Sequence, residues 1–221
     1  MGILTEHPPS PSGDAAHQAA QTEDLPLSRH LEGKAAVVTG STSGLGLTAV
    51  EMMLRRGLKG AVLAGRKAEA GEAEAKRLSG NGAKVVYQQT DLESLDDFAA
   101  LIRRAIDEFG TFDILVNSAG ITDRGGILDS DADLWERACA INARAPFFLM
   151  QDAAKHWRAE RKPGTIVNVA TVTAHGGVPF LTVYAASKAA LVTPTKSAAF
   201  SLMRDGIRCN ALAIGWMDTP A

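Results

Sequence analysis

From residue 34 onward the chain alternates short apolar runs with longer amphipathic stretches. The runs are Ala35–Thr39, Ala61–Ala64, Lys84–Gln88, Ile114–Asn117, Thr165–Val169 and Ile207–Leu212, rich in small and β-branched residues. Runs of this length and composition predict strands. Between them, apolar positions return every three or four residues. Leu47, Val50 and Leu54 share one helical face, and so do Phe98, Leu101, Ile102 and Ala105. Ser79-Gly80-Asn81-Gly82 reads as a helix stop followed by a turn. Strands without a polar face need cover on both sides. Alternated with helices, they predict an α/β domain around a parallel sheet. Pro194 lies inside the predicted last helix, where the missing N–H predicts a kink.

Residues 1–31 break this pattern. They hold Pro8, Pro9, Pro11 and Pro26 among polar residues with no apolar period, which predicts a flexible tail ahead of one domain over residues 32–221. The start has neither the basic region nor the apolar stretch of a signal peptide. With 23 Lys and Arg against 25 Asp and Glu, no basic excess points to nucleic acid or an anionic membrane. No apolar run reaches membrane-spanning length. Cys139 and Cys209 lack Cys or His neighbours at metal-ligand spacing, so both are expected reduced, buried and free of metal. This usage suits the cytoplasm.

The first strand leads directly into Thr39-Gly40-Ser41-Thr42-Ser43-Gly44-Leu45-Gly46. A dinucleotide pyrophosphate is held by backbone N–H groups at a helix N-terminus, and side chains there would block it. Gly40 permits the tight turn, Gly44 the close approach, and Gly46 the packing of helix on strand. Near the other end, Tyr184 and Lys188 stand one helical turn apart on one face. A free tyrosine, with a pKa of about 10, is a weak base at neutral pH. An ammonium ~4 Å away, at an effective dielectric of ~20, favours the phenolate by ~4 kcal/mol, or roughly three pKa units before desolvation. The pair therefore suits proton transfer to or from an alcohol oxygen.

The spacing Thr-Gly-x-x-x-Gly-x-Gly, together with Tyr184-Ala185-Ala186-Ser187-Lys188, resembles the short-chain dehydrogenase/reductase family. Further marks follow in the family's order: Asp91-Leu92 after the third strand, Asn117-Ser118-Ala119-Gly120 closing the fourth, and Arg208-Cys209-Asn210 ahead of Gly215. The resemblance covers about residues 33–221. It implies a three-layer Rossmann-type doubly wound sheet and reversible hydride transfer between a nicotinamide cofactor and a carbonyl or secondary alcohol.

The resemblance also implies the site residues. Gly40, Ser41, Thr42, Ser43, Gly44, Leu45, Gly46, Arg66, Asp91, Leu92, Asn117, Ala119, Gly120, Tyr184, Lys188, Gly215 and Thr219 would bind the cofactor. Where a carboxylate after the second strand would select NAD, this chain has Gly65-Arg66, which places NADP ahead of NAD. Against that, Ser43 occupies the glycine-loop position where NADP-preferring members often carry a basic residue. Tyr184 would exchange the proton, and Lys188 would lower its pKa and orient the ribose. Counting back thirteen residues from Tyr184 gives Thr171 where the family has serine; the hydroxyl is kept and a methyl is added, with Thr173 a less well-aligned substitute. Asn142, on the long helix after the fourth strand, would hold a water linked to Lys188.

Two departures accompany these marks. Ile214-Gly215 replaces the family's Pro-Gly, and the family usually continues a few dozen residues past the position of Ala221. A lid over the substrate and cover for one sheet edge would then be lacking. The second function class is accordingly a dinucleotide-binding sensor or an inactive fragment without efficient turnover. A third, an epimerase or dehydratase of the extended relatives, fits the glycine spacing poorly. The substrate is a small molecule whose identity is not legible; residues after Gly120 and the stretch 175–183 would wall its pocket, with His175 a wall residue. The family's habit implies a homo-dimer or homo-tetramer through the two long helices, with Trp135, Phe147 and Phe148 near the contact.

Overall fold

The computed structural model describes residues 29–80 and 82–217. Six strands, β1 (Ala35–Thr39), β2 (Gly60–Gly65), β3 (Lys84–Gln89), β4 (Ile114–Asn117), β5 (Gly164–Thr171) and β6 (Ile207–Ile214), form one sheet in the order β3-β2-β1-β4-β5-β6. Every neighbouring pair is parallel. This is the Rossmann-type doubly wound arrangement that the family resemblance implies.

The strand pleat sorts the apolar residues into two cores. Ala35 and Val37 face one side of β1, where they meet Phe98, Leu101 and Ala105 of α3 (Leu95–Phe109), Leu149 and Trp157 of α5 (Ala145–Ala159), and Leu191 of α7 (Thr182–Ser201). Ala36 and Val38 face the other side, against Val50 of α1 (Gly44–Arg55) and Ala75 of α2 (Ala68–Leu78). All five residues of β1 are buried, as a central parallel strand requires. Helices α4 (Ala132–Cys139) and the short α6 (Thr173–Gly176) complete the α-helical set.

Three details refine the sequence reading. β5 and β6 run further than their apolar runs suggested, because they stay paired from Gly164↔Ile207 to Thr171↔Ile214 while β4 stops at Asn117. Thr171 therefore stands at a tip beyond the neighbouring strand. Pro194 does not end α7, which continues to Ser201; Thr195 returns its hydroxyl to the Leu191 carbonyl at 2.7 Å. Leu31, assigned to the tail, donates its N–H to Arg56 O and packs against the second core. The rest of the expected tail, residues 1–28, lies outside the described residues, as does Asn81 of the predicted turn. Cys209 is buried, whereas Cys139 is only partly so. Among the described residues no helix is long and apolar enough to cross a membrane.

Candidate active site

In a doubly wound sheet the loops leaving β1 and β4 part in opposite directions, and the crevice opens at the carboxyl ends of the strands. A cavity of about 330 Å³ lies there, between the ends of β1, β2, β3 and β4. Gly40, Thr42, Ser43, Arg66, Asp91, Leu92, Ala119 and Gly120 line it, as expected. Thr39, Gly65, Lys67 and Ser118 line it too. The sequence reading passed over these; Lys67 was legible as a second cation beside Arg66.

The glycine loop is built by close approach. Gly40 has φ +64, and a Cβ there would lie 2.7 Å from the Ala119 Cα. A Cβ on Gly46 would lie 2.4 Å from the Gly40 carbonyl oxygen. Both glycines thus serve loop packing. The loop feeds the N-terminus of α1, where Ser43 offers no side-chain cap and the first turn holds no acidic residue. Its leading N–H groups and the positive end of the helix dipole are left available for an anion. The residues present therefore fit a dinucleotide.

Two expected cofactor contacts take other roles in this geometry. Ser41 is fully buried; its hydroxyl donates to Val38 O at 2.6 Å and accepts from Ala64 N–H at 3.1 Å, clamping β1 to β2. Asn117 is also buried, and its Nδ2 donates to Asn168 Oδ1 at 2.8 Å across β4 and β5. Neither side chain lines the cavity. Ala119, two residues on, is fixed by its N–H donating to Thr39 Oγ1 at 3.2 Å. Asp91 Oδ1 accepts from the Glu93 N–H at 2.9 Å, so one carboxylate oxygen is engaged in a local turn. Gly44 (φ +53) and Leu45 open α1 and do not line the cavity. Thr219 lies outside the described residues.

The second half of the site forms where β5, β6 and α7 meet. Tyr184 and Lys188 both belong to α7, and Thr171 caps the tip of β5. Thr171 and Tyr184 line one pocket, and the Thr171 hydroxyl lies 3.1 Å from the Thr173 hydroxyl. Lys188 is buried and donates from Nζ to the Val169 carbonyl at 2.8 Å. Burial pushes the Tyr184 phenol above its ordinary value, and the Thr171 side chain pulls it partly back. Burial pushes Lys188 down to about 8. The lowering expected from Lys188 alone is thus not what governs Tyr184 here. The helix packing that brings the pair together also takes both groups out of water, and desolvation favours the neutral form of each.

Asn142 sits in a π-helical turn, Ala140–Arg144, that interrupts the long helix expected after β4. Its side chain clamps one residue at both ends. Oδ1 accepts from the Ile121 N–H at 2.9 Å, and Nδ2 donates to the Ile121 carbonyl at 3.0 Å. Nδ2 also donates to Ser187 Oγ at 2.9 Å, and Ser187 Oγ donates to the Tyr184 carbonyl at 2.8 Å. Both amide hydrogens are therefore engaged within the chain. A Cβ placed on Gly120 would lie 3.0 Å from Asn142 Oδ1 and 3.1 Å from Lys188 Nζ, so these three residues share one small space.

A separate pocket of about 390 Å³ adjoins the hydroxyls. Thr171, Thr173 and Tyr184 meet Arg124, Phe180, Leu181 and Gly215 there. Gly215 thus faces this pocket and not the glycine-loop cavity. Its φ is not positive, so the turn after β6 does not depend on a glycine. His175 is exposed and lines other recesses, away from Tyr184.

A nucleotide-shaped crevice beside a tyrosine, a threonine and a lysine on a doubly wound sheet defines an oxidoreductase site. The short chain dehydrogenase profile matches residues 34–221, and the chain belongs to that family of enzymes. It is 35% identical over 188 residues to a sorbitol dehydrogenase of Cereibacter sphaeroides, covering 85% of this chain and 72% of that protein. It is equally identical, over 188 residues, to a cis-4-hydroxycyclohexanecarboxylate dehydrogenase of Sinomonas cyclohexanicum, covering 85% and 74%. A solved short chain dehydrogenase/reductase family protein superposes with a TM-score of 0.78 at 39% identity, covering 86% of this chain and 77% of the other.

Proposed function

We propose that residues 32–221 form one catalytic domain that interconverts a secondary alcohol and its carbonyl with NADP(H), preferred over NAD(H). The observation carrying this reading is the meeting of Tyr184, Thr171 and Lys188 beside the crevice that the glycine loop opens. A bound nicotinamide supplies or accepts the hydride. Everything else falls to the chain. Thr171 donates a hydrogen bond to the substrate oxygen and Tyr184 exchanges a proton with it at Oη. Lys188, while charged, stabilises the Tyr184 phenolate and orients the cofactor ribose. Asn142 is a positioning residue: it fixes Ile121 and, through Ser187, the first turn of α7. The space beside Gly120, bounded by Asn142 Oδ1 and Lys188 Nζ, is where a water would link Lys188 to solvent. The substrate is a small alcohol or carbonyl compound, the class named in both relatives.

Arg66 and Lys67 line the crevice at the end of β2 with no carboxylate among Gly65, Arg66 and Lys67. They suit a 2′-phosphate, which Arg can take with two parallel N–H donors. Titration with NADPH and NADH, followed by nicotinamide fluorescence, tests the reading. Tighter NADPH binding is expected. In Arg66→Glu, the NADPH/NADH preference should fall by roughly tenfold or more, the worth of one charge-assisted hydrogen bond. An unchanged ratio would remove Arg66 from cofactor choice. Trp135 on α4 and Phe147 on α5 are 46% and 43% exposed, apolar surface that a second copy would cover in a homo-dimer or homo-tetramer. Sedimentation equilibrium reads that directly.

A further inference from the structure

Among the described residues, the pocket beside Tyr184 contains a cation that no carboxylate neutralises. Apart from Tyr184, Arg124 is the one ionisable side chain lining it among the described residues. Its guanidinium carbon stands 5.6 Å from the centroid of the Phe180 ring, and no carboxylate pairs with it among the described residues. The adjacent Asp123 is taken instead by Arg137, at 3.0 Å.

The root of Arg124 is fixed relative to the reacting hydroxyls. The next residue, Gly125, donates its N–H to Phe180 O at 3.1 Å, and its carbonyl accepts from the Thr182 N–H at 2.9 Å. These two bonds attach the loop to the chain entering α7, two residues before Tyr184. Gly125 is closely packed as well, since a Cβ there would lie 2.5 Å from Ser130 Oγ. The head is exposed and unpaired, laid on an aromatic face. A guanidinium presented in this way is a planar fork matched to a carboxylate, and a partly apolar wall strengthens the attraction by excluding water.

We infer that Arg124 receives a carboxylate of the substrate, so that the alcohols and carbonyl compounds turned over here are hydroxy acids and oxo acids. This rests on the dehydrogenase reading above and assigns its substrate class. A single guanidinium in a largely apolar pocket suits a monoanion; no second cation lines it to take a phosphate dianion.

The test compares acids with their own neutral esters. Sodium 3-hydroxybutyrate and sodium 4-hydroxycyclohexanecarboxylate are each assayed for NADP+ reduction beside the methyl ester. The wild-type chain should favour one acid over its ester in kcat/KM. In Arg124→Gln that acid-to-ester ratio should fall by roughly 30-fold, with Arg124→Lys between the two, as loss of a charge-assisted bidentate contact requires. Equal use of acid and ester by the wild type, or a ratio unmoved in Arg124→Gln, would overturn the inference. If no member of the panel is oxidised, the dehydrogenase reading fails separately. Calorimetric titration of the same acids onto the NADP+-saturated chain then decides: binding weakened in Arg124→Gln supports the carboxylate site, and absent or unaltered binding overturns it.

Discussion

Tyr184→Phe should lower turnover by roughly 10³-fold, inside the range of about 10² to 10⁴ that general acid–base catalysis contributes. The substitution removes only the hydroxyl. The ring remains in the wall of the pocket with Leu181 and Phe180, so the loss reports proton transfer and not packing. Cofactor affinity should stay within a few fold, because the glycine loop is a separate part of the crevice. Near wild-type turnover in this variant would remove Tyr184 from the reaction.

The same group sets the pH dependence. Burial raises the phenol above its ordinary value, so in the neutral range Tyr184 is protonated. Carbonyl reduction uses the phenol as it stands and should change little from pH 6 to 8. Alcohol oxidation needs the phenolate, whose fraction grows as pH rises toward the raised pKa. Oxidation should therefore climb from neutral to alkaline pH. Lys188, at about 8, carries its charge below that pH and loses it above, so its support of the phenolate is greatest on the neutral side. Single-turnover measurement of hydride transfer checks this without interference from product release. An oxidation step flat between pH 6 and 9 would contradict a titrating tyrosine.

Gly40→Ala should cost about 2–5 kcal/mol of stability, the sum of left-handed strain and overpacking at one residue, and should lose most cofactor affinity. Two causes act together. The backbone at Gly40 has φ +64, where an L side chain is strained, and the new methyl would stand 2.7 Å from the Ala119 Cα. Backbone cannot give way as a side-chain tip can. The loops after β1 and β4 must separate, and the cavity between them is what both loops line. Gly110 provides the control. It has φ +75 but nothing within 4 Å of a Cβ, and it lies at the end of α3. Gly110→Ala should show only the conformational cost, about 1–2 kcal/mol, with cofactor binding retained. Denaturant unfolding together with NADPH titration of both variants separates the two effects. Equal loss of cofactor affinity in both would mean that Gly40 acts through global stability alone.

The strands, the α/β class and the glycine loop were legible because each is written in local order. A strand buried on both faces must be apolar throughout, so β1, β2 and β4 announce themselves. An amphipathic helix must repeat its apolar face, as α3 does with Phe98, Leu101, Ile102 and Ala105, all buried. Tyr184 and Lys188 were legible because one helical turn fixes their relation whatever surrounds them. Side-chain partners across the sheet are not written this way. Ser41 and Asn117 lie in motifs that point to the cofactor, yet their polar groups end in the interior. Burial favours hydrogen-bonded polar groups, and the Ser41 hydroxyl found Val38 and Ala64 while Asn117 Nδ2 found Asn168; Asn117 Oδ1 has no partner among the described residues.

Charge balance at the site also had to wait for the fold. Sequence spacing put an ammonium near a phenol and implied a lowered pKa. Only the packing of α7 against β5 set the depth of both groups, and at that depth burial is the largest influence on each. Asn142 was found by motif, but the π-helical turn and the double clamp on Ile121 arise from contact between segments twenty-one residues apart. Arg124 fell within the stretch after Gly120 expected to wall the pocket, but nothing local singled it out. It became a pocket residue only because Gly125 pairs with Phe180 and Thr182, more than fifty positions away. The sequence by itself thus determined the elements, the loop that can cradle a dinucleotide and the pair that can move a proton, since local periodicity and short spacing suffice for these. The tertiary structure decided which polar groups face the crevice, how far each is removed from water, and which cation lines the pocket beside Tyr184, because burial and long-range pairing are properties of the packed chain.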